Sequence, residues 1–323
     1  MSQILDTLYW LLLLGLVLFV VMALASPLEA LRWWSGWSRR QVSLPPPEGE
    51  ARATSDATHF IVYLTAIGGI SASDISRREQ GFLDLLRAEV PQAKIIHDVY
   101  PFSVTNNPLN GERQLAWLWQ RLHDSRMKRR NSYLAALIFV RNLLQVAVSG
   151  DPRYGPIYNV GVARELAMSL LRHGYRPGSG KPITVMGWSG GGQIAAGVVP
   201  YLHYVLEAPV YVVSIGGVIT DEPGVAYVEQ LLHLQGSRDR FPSIGVILYP
   251  GRWPFLRRSA WNQARHDGRI ITIDPGPFRH TGRGDYFDHK HTLPDGSSHA
   301  RRTAVLIGEF IRQQAVKPEA PAV

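Results

Sequence analysis

The segment Gly187–Gly191, with the sequence Gly-Trp-Ser-Gly-Gly, constrains the fold more than any other part of the chain. It follows a short apolar run, Lys181–Met186, and precedes a small-residue apolar run, Gln193–Val199. These runs are typical of a buried strand and of a helix packed on a sheet. Glycines two residues before and after Ser189 leave room for a tight turn. The pattern predicts a strand, a sharp turn that presents Ser189, and a helix; with 30 glycines in the chain, an ordinary strand-to-helix turn is the alternative.

From about residue 58 onward, the chain alternates short apolar runs with amphipathic segments. This alternation predicts an α/β fold with a mostly parallel central sheet and helices on both faces. Strands are predicted at Phe60–Ala66, Ala93–Val99, Tyr133–Val140, Ile183–Gly187, Val210–Ile215, Leu231–Gln235 and Ile270–Ile273, with Ile244–Tyr249 as another extended run. Helices are predicted at Arg77–Glu89, Gly111–His123, Val162–His173, Gln193–Leu206 and Arg302–Gln313.

An uncharged apolar run, Leu8–Ala25, lies near the N-terminus. At about 1.5 Å per residue it is long enough to cross the hydrocarbon core of a bilayer, which predicts one N-terminal transmembrane helix. A cleaved signal peptide is the alternative, suggested by the sequence Ala23-Leu24-Ala25. Such signals begin with basic residues, whereas this chain begins with Asp6 as its only charged residue before the run.

Basic and aromatic residues follow this run. Arg32, Arg39 and Arg40 alternate with tryptophans, which is typical of the cytoplasmic flank of a transmembrane helix and its interfacial aromatic belt. We therefore predict a single-pass membrane protein with a cytoplasmic main domain, and the periplasmic or extracellular side is the alternative. The predicted organisation is an anchor at 1–30, a juxtamembrane segment and Pro-rich linker at 31–57, an α/β domain at 58–315 with an insertion around 106–155, and a flexible tail at 316–323.

The composition narrows the chemistry that the chain can perform. It contains no cysteine, which excludes disulfides, thiolate metal sites and a cysteine nucleophile. The net charge of +8 favours anionic partners, either a membrane surface or nucleic acid. No nucleic-acid recognition motif accompanies that charge, so the membrane is the predicted partner.

Serine chemistry requires a base and an acid that follow Ser189 in the chain. A serine hydroxyl needs a histidine to accept its proton and a carboxylate to orient that histidine. Asp239 follows the predicted strand Leu231–Gln235, and His280 follows the strand Ile270–Ile273. Because both come just after the carboxyl ends of strands, we expect them on the same edge of the sheet as Ser189.

Other residues compete for these roles. Asp221 follows an earlier strand and is the alternative acid. The alternative bases are His289, His291 and His299. A metal site is a less favoured reading of the segment that contains His280, Asp285, Asp288, His289 and His291, because their spacing matches no compact motif. We therefore predict no metal and no cofactor.

Through the turn around Ser189, the Gly236–Asp239 loop and the late His280, the chain resembles the α/β-hydrolase fold family over roughly residues 58–314. The resemblance implies hydrolysis by acyl transfer. It also implies an oxyanion hole formed by the backbone N–H groups of Gly190 and of Ile67 or Gly68. Ala66 departs from the family, many members of which carry a histidine before this glycine.

The predicted function is that of a membrane-tethered serine hydrolase. It would cleave carboxylic esters, of a lipid or another acylated small molecule, through a Ser-Asp-His triad and an acyl-enzyme. The alternative is a non-catalytic protein of the same fold that binds a lipid or a partner protein at the membrane.

Overall fold

A computed structural model describes residues 2–35, 55–111, 115–127 and 136–315. The described part contains one sheet of six parallel strands, in the order β2-β1-β3-β4-β5-β6. The strands are β1 (His59–Leu64), β2 (Ala93–Ile96), β3 (Ile183–Trp188), β4 (Val210–Ile215), β5 (Leu231–Leu234) and β6 (Ile270–Ile273). The predicted α/β fold with a mostly parallel sheet is thus confirmed.

Helices cover both faces of this sheet. They are α1 (Ser2–Leu24), α2 (Leu28–Trp34), α3 (Arg77–Glu89), α4 (Ala116–Met127), α5 (Ala136–Ser149), α6 (Gly155–Arg172), α7 (Gly190–Gly197), α8 (Val199–Leu206), α9 (Phe241–Leu248), α10 (Ala260–His266) and α11 (His299–Ala315). Helices α3 and α11 pack on one face, and α6, α7 and α8 on the other. Alternate residues of β1 enter opposite cores: Phe60 and Val62 one, and Ile61 and Tyr63 the other. A strand buried on both faces explains why its sequence is continuously apolar.

The strand order creates the place where a ligand can bind. From β1 the chain passes to β2 on one side and then to β3 on the other side of β1. Loops leaving the carboxyl ends of β1 and β3 diverge at such a point and open a crevice. The turn that contains Ser189 follows β3 directly, so Ser189 lies at this crevice.

Helix α3 shows how local sequence sets the ends of an element. Its bounds agree with the prediction, and Ser76 and Glu79 form a reciprocal capping box that sets its N-terminal end. The predicted helix Gln193–Leu206 is instead divided at Val198 into α7 and α8. Pro200 lies in the first turn of α8, where its missing N–H is tolerated.

The predicted strand Tyr133–Val140 is wrong, because residues 136–140 begin helix α5. A short apolar run fits a buried strand and a buried helix equally well. The buried residues of α5 recur at helical spacing: Ile138, Arg141, Asn142, Gln145, Val146 and Ser149. Because much of this set is polar, the positions of the hydrophobic residues alone do not show the helical period.

The predicted extended run Ile244–Tyr249 is also wrong, since residues 241–248 form helix α9. Its β-branched residues favour a strand. Pro242, however, starts a helix well, and Gly245 allows the helix to pack closely on the backbone of Ile219.

The N-terminal region is a bent pair of helices. Within the described residues no single helix meets the length and hydropathy criteria for a membrane span, whereas Leu8–Leu24 and Leu28–Trp34 meet them together, with a bend of 63° between them. Phe19 and Ala23 are buried against the domain. Membrane insertion of this pair therefore stays a prediction.

The sequence predicts that Trp33 and Trp34 belong to an interfacial aromatic belt. In the structure Trp33 is buried and Trp34 is exposed. Helix α2 thus packs against the domain. Most of the predicted linker and the tail at 316–323 lie outside the described residues.

Candidate functional site

Ser189 has a backbone conformation that serines rarely adopt. Its φ is 54° and its ψ is −121°, at the junction of β3 and α7. A non-glycine residue in this region costs on the order of 1–3 kcal/mol, and such strain concentrates at functional sites. The surrounding turn is too tight for side chains, because a Cβ atom added to Gly187 would lie 2.2 Å from the carbonyl oxygen of Gly191. The predicted sharp turn is therefore present.

Three predicted residues form a continuous hydrogen-bonded chain. The Oγ atom of Ser189 lies 2.8 Å from Nε2 of His280. The Nδ1 atom of His280 lies 3.0 Å from Oδ2 of Asp239. All three side chains are buried. With a proton on Nδ1 of His280, its Nε2 atom can accept the proton of the serine hydroxyl.

Two further donors hold Asp239 in place. The backbone N–H of Phe241 donates to Oδ1 at 3.0 Å, and the hydroxyl of Tyr286 donates to Oδ2 at 2.8 Å. Burial raises the pKa of the Tyr286 phenol, so this hydroxyl keeps its proton and remains a donor. Sequence reasoning missed Tyr286, since nothing in its local sequence distinguishes it from a core aromatic residue.

The competing acid and bases lie elsewhere. The carboxylate of Asp221 faces the backbone of Gly251, and within the described residues it makes no hydrogen bond to a histidine. His299 stacks on Phe278 at 3.9 Å between ring centroids, and His291 pairs with Asp288. None of these groups contacts Ser189 in the described part of the chain.

The carboxylates proposed as metal ligands are engaged with cations of the protein. Arg78 bonds Asp285 and lies 3.6 Å from Asp288. Burial raises the pKa of Asp285 to about 6. Within residues 2–35, 55–111, 115–127 and 136–315, no group of three or more His, Cys, Asp or Glu residues is placed to hold a metal ion.

The predicted oxyanion donors lie beside Ser189. Gly190 begins helix α7, and the first N–H groups of a helix have no partner within it. Ile67 adjoins this position, because a Cβ atom on Gly190 would lie 2.6 Å from Cγ2 of Ile67. The loop that contains Ile67 and Gly68 thus faces the start of α7, where an oxyanion could bind.

Asn142 of α5 fixes the conformation of that loop. Its Nδ2 group donates to the carbonyl oxygens of Ile67 and Gly69, both at 2.8 Å. The neighbouring Arg141 donates to Oδ1 of Asn142 at 3.0 Å and pairs with Glu29 of α2 at 2.9 Å. A buried polar chain therefore connects the N-terminal helices with the loop beside Ser189. These residues could not be found from the sequence, because it predicts a strand at Tyr133–Val140 and no element for Arg141 and Asn142, which follow that strand.

No protein-family model matches the sequence, and no curated protein is detectably similar to it. The parallel sheet with helices on both faces is compatible with the α/β-hydrolase fold. Function is therefore inferred from the chemistry of the site itself.

Beside helix α7, Glu222 is buried and accepts hydrogen bonds from Gln193 and from the backbone N–H of Gly224. Burial raises its pKa from 4.5 to about 7. Between pH 4.5 and about 7, Glu222 is protonated in the folded chain and ionised in the unfolded chain. Its contribution to the free energy of unfolding therefore decreases as the pH rises through this range, by on the order of 3 kcal/mol. In Glu222→Gln we expect this contribution to disappear.

The measurement is the free energy of unfolding of wild type and Glu222→Gln in detergent between pH 4.5 and 7. The stability of the variant relative to wild type should increase steadily across this range. A difference that does not change with pH would contradict the raised pKa.

Proposed function

We propose that this chain is a serine hydrolase of the α/β-hydrolase fold that cleaves carboxylic esters of lipids or other acylated small molecules at a membrane. The observation that carries the proposal is the hydrogen-bonded chain from Ser189 through His280 to Asp239. A strained backbone at Ser189 adds to it, since strain of this kind is stored where it serves a function.

In the acylation step, Nε2 of His280 takes the hydroxyl proton as Oγ of Ser189 attacks the carbonyl carbon of the ester. The carbonyl π electrons move to oxygen, and the backbone N–H of Gly190, with that of Ile67 or Gly68, stabilises the negative charge. When the carbonyl re-forms, the bond to the alcohol oxygen breaks. His280 returns its proton to that oxygen, and an alcohol leaves.

In the second step, water replaces the alcohol. His280 takes a proton from the water molecule as its oxygen attacks the acyl carbon on Ser189. Collapse of this intermediate breaks the bond to Oγ, which receives the proton from His280. The products are a carboxylic acid and the free serine. The Asp239 carboxylate stabilises the positive charge that His280 carries in each step. These steps require no cofactor.

The N-terminal helices support a membrane location. A domain held near a bilayer meets membrane-borne substrates at a raised effective concentration. The exposed Arg32, together with Arg39 and Arg40, favours placing the domain on the cytoplasmic side. Lipid esters are therefore the proposed substrates.

The test is labelling by a fluorophosphonate, which reacts with an activated serine. Wild type should be labelled and should hydrolyse short p-nitrophenyl esters, whereas Ser189→Ala should lose both properties, because the nucleophile is removed. Ser237→Ala is the matched control, since this exposed hydroxyl donates a hydrogen bond to the carbonyl oxygen of Gly276 and should be dispensable for activity. Undiminished labelling of Ser189→Ala would refute the assignment. A wild-type chain that is folded but never labelled would favour the non-catalytic alternative.

A further inference from the structure

Helix α9 and the loop after it, residues 241–258, form an exposed apolar surface that we call the apolar cap. Helix α9 contains no charged residue, so it has no polar face to turn toward water. Its outward side chains and those of the loop are between 36% and 70% exposed: Ile244, Val246, Ile247, Leu248, Phe255 and Leu256. A contiguous exposed apolar surface on a folded domain marks a binding surface.

Basic residues stand at both ends of the apolar cap. Arg238 and Arg240 precede it, and Arg257 and Arg258 end it; all four are exposed. From residue 240 to 258 the sequence contains no Asp or Glu. An apolar centre bounded by cations matches the boundary of an anionic bilayer, where apolar side chains enter the acyl region and cations meet the headgroups.

The apolar cap adjoins the proposed active site. The ring of Phe241 stacks on that of His280, with 4.2 Å between centroids and 19° between planes. Gly245 packs so closely on Ile219 that a Cβ atom there would lie 2.5 Å from its carbonyl oxygen. Helix α9 therefore lies at the carboxyl edge of the sheet, directly beside the proposed base.

Helix α5 connects this edge with the N-terminal helix. The close neighbours of two glycines locate this helix. A Cβ atom added to Gly190 would contact Val146 of α5, and one added to Gly150, which directly follows α5, would contact Thr220. Helix α5 thus runs along the loops after β3 and β4. Helix α1 packs against α5, so the apolar N-terminal helix joins the domain at the same edge as the apolar cap.

Helix α5 also carries exposed apolar side chains. Phe139, Val140 and Leu143 are 40%, 39% and 55% exposed. A protein partner would explain one apolar patch, but it would not explain why this surface lies where the apolar N-terminal helix meets the domain. A lipid bilayer accounts for both features.

We propose that the apolar cap docks into the headgroup and acyl-chain boundary of an anionic lipid bilayer. This orientation places Phe241, whose ring stacks on His280, on the side of the domain that faces the lipid. The docking itself is independent of hydrolysis, whereas delivery of lipid esters from the bilayer to Ser189 rests on the proposed function.

Because the chain contains no cysteine, one can be introduced at a single site for labelling. The full chain with Ile247→Cys, carrying an environment-sensitive fluorophore, is reconstituted into phosphatidylcholine vesicles with and without phosphatidylglycerol. Lipids with a nitroxide on the acyl chain near the headgroup serve as quenchers. We expect a blue-shifted emission and at least about twofold quenching in the anionic vesicles.

Ser179→Cys is the matched control, because Ser179 is exposed in the loop before β3, at the amino edge of the sheet. Its label should be unquenched. Adding Arg257→Glu and Arg258→Glu to Ile247→Cys should reduce the quenching in anionic vesicles. Absence of quenching at position 247, or equal quenching at 247 and 179, would overturn the proposal.

An activity measurement separates this proposal from the proposed function. We expect Ile247→Ser to slow hydrolysis of a vesicle-embedded ester at least about fivefold while leaving hydrolysis of a water-soluble short-chain ester unchanged. An equal loss on both substrates would contradict a docking role. If wild type hydrolysed neither ester, quenching at position 247 would still establish the docking, and only the proposed function would be refuted.

Discussion

Replacing Asp239 with Asn is expected to lower kcat/KM for ester hydrolysis on the order of 10⁴-fold. The backbone N–H of Phe241 donates to Oδ1, so the amide oxygen of Asn must occupy that position. Its NH₂ group then faces Nδ1 of His280 and makes this atom an acceptor. The proton of the imidazole moves to Nε2, which can no longer accept the proton of Ser189. Steady-state kinetics with a soluble p-nitrophenyl ester measure the loss.

Asp221→Asn is the matched control for this experiment. Asp221 is exposed and faces Gly251 rather than a histidine in the described part of the chain, so kcat/KM of this variant should stay within about twofold of wild type. If Asp221→Asn lost the activity and Asp239→Asn kept it, the acid would have to be reassigned to Asp221.

Replacing Gly187 with Ala is expected to destabilise the domain by about 3 kcal/mol or more. The added methyl group would lie 2.2 Å from the carbonyl oxygen of Gly191 and 2.5 Å from the N atom of Gly192. Both are backbone atoms of the turn, so no side-chain rotation can relieve the clash. Thermal unfolding of the detergent-solubilised chain should show a Tm lower by roughly 5 °C or more.

Gly15→Ala provides the comparison, because a Cβ atom there meets nothing within 4 Å. Its Tm should match that of wild type. Equal stability of Gly187→Ala and wild type would mean that the turn after β3 is looser than the geometry requires.

The sequence predicted the strands of the sheet better than the helices above its carboxyl edge. Strands buried on both faces are continuously apolar, so their identity can be read locally. Helix α5 buries Arg141, Asn142 and Gln145, which pair with other elements of the fold. A helix whose buried face is polar cannot be recognised from the periodicity of its hydrophobic residues. The groups that pair with these polar side chains are also distant in the chain, so local sequence does not identify them.

The candidate site likewise has features that the sequence could predict and features that depend on the assembled fold. Ser189 could be selected because strand, tight turn and helix are local features of the sequence. Asp239 could be ranked above Asp221 by chain order together with the loop pattern after its strand. His280 could be ranked above His289 because it lies closer in the sequence to the last strand. Their distances of 2.8 Å and 3.0 Å arise from the register of β3, β5 and β6, which is a property of the assembled sheet.

By itself, the sequence determined the parallel sheet and the serine turn, because apolar periodicity and glycine spacing act over a few residues. Only the tertiary structure could bring together Tyr286, Asn142 and Phe241, since each acts on the site through a contact between distant segments. It also showed that α9 is a helix with an apolar exterior, as exposure depends on what the rest of the chain leaves uncovered.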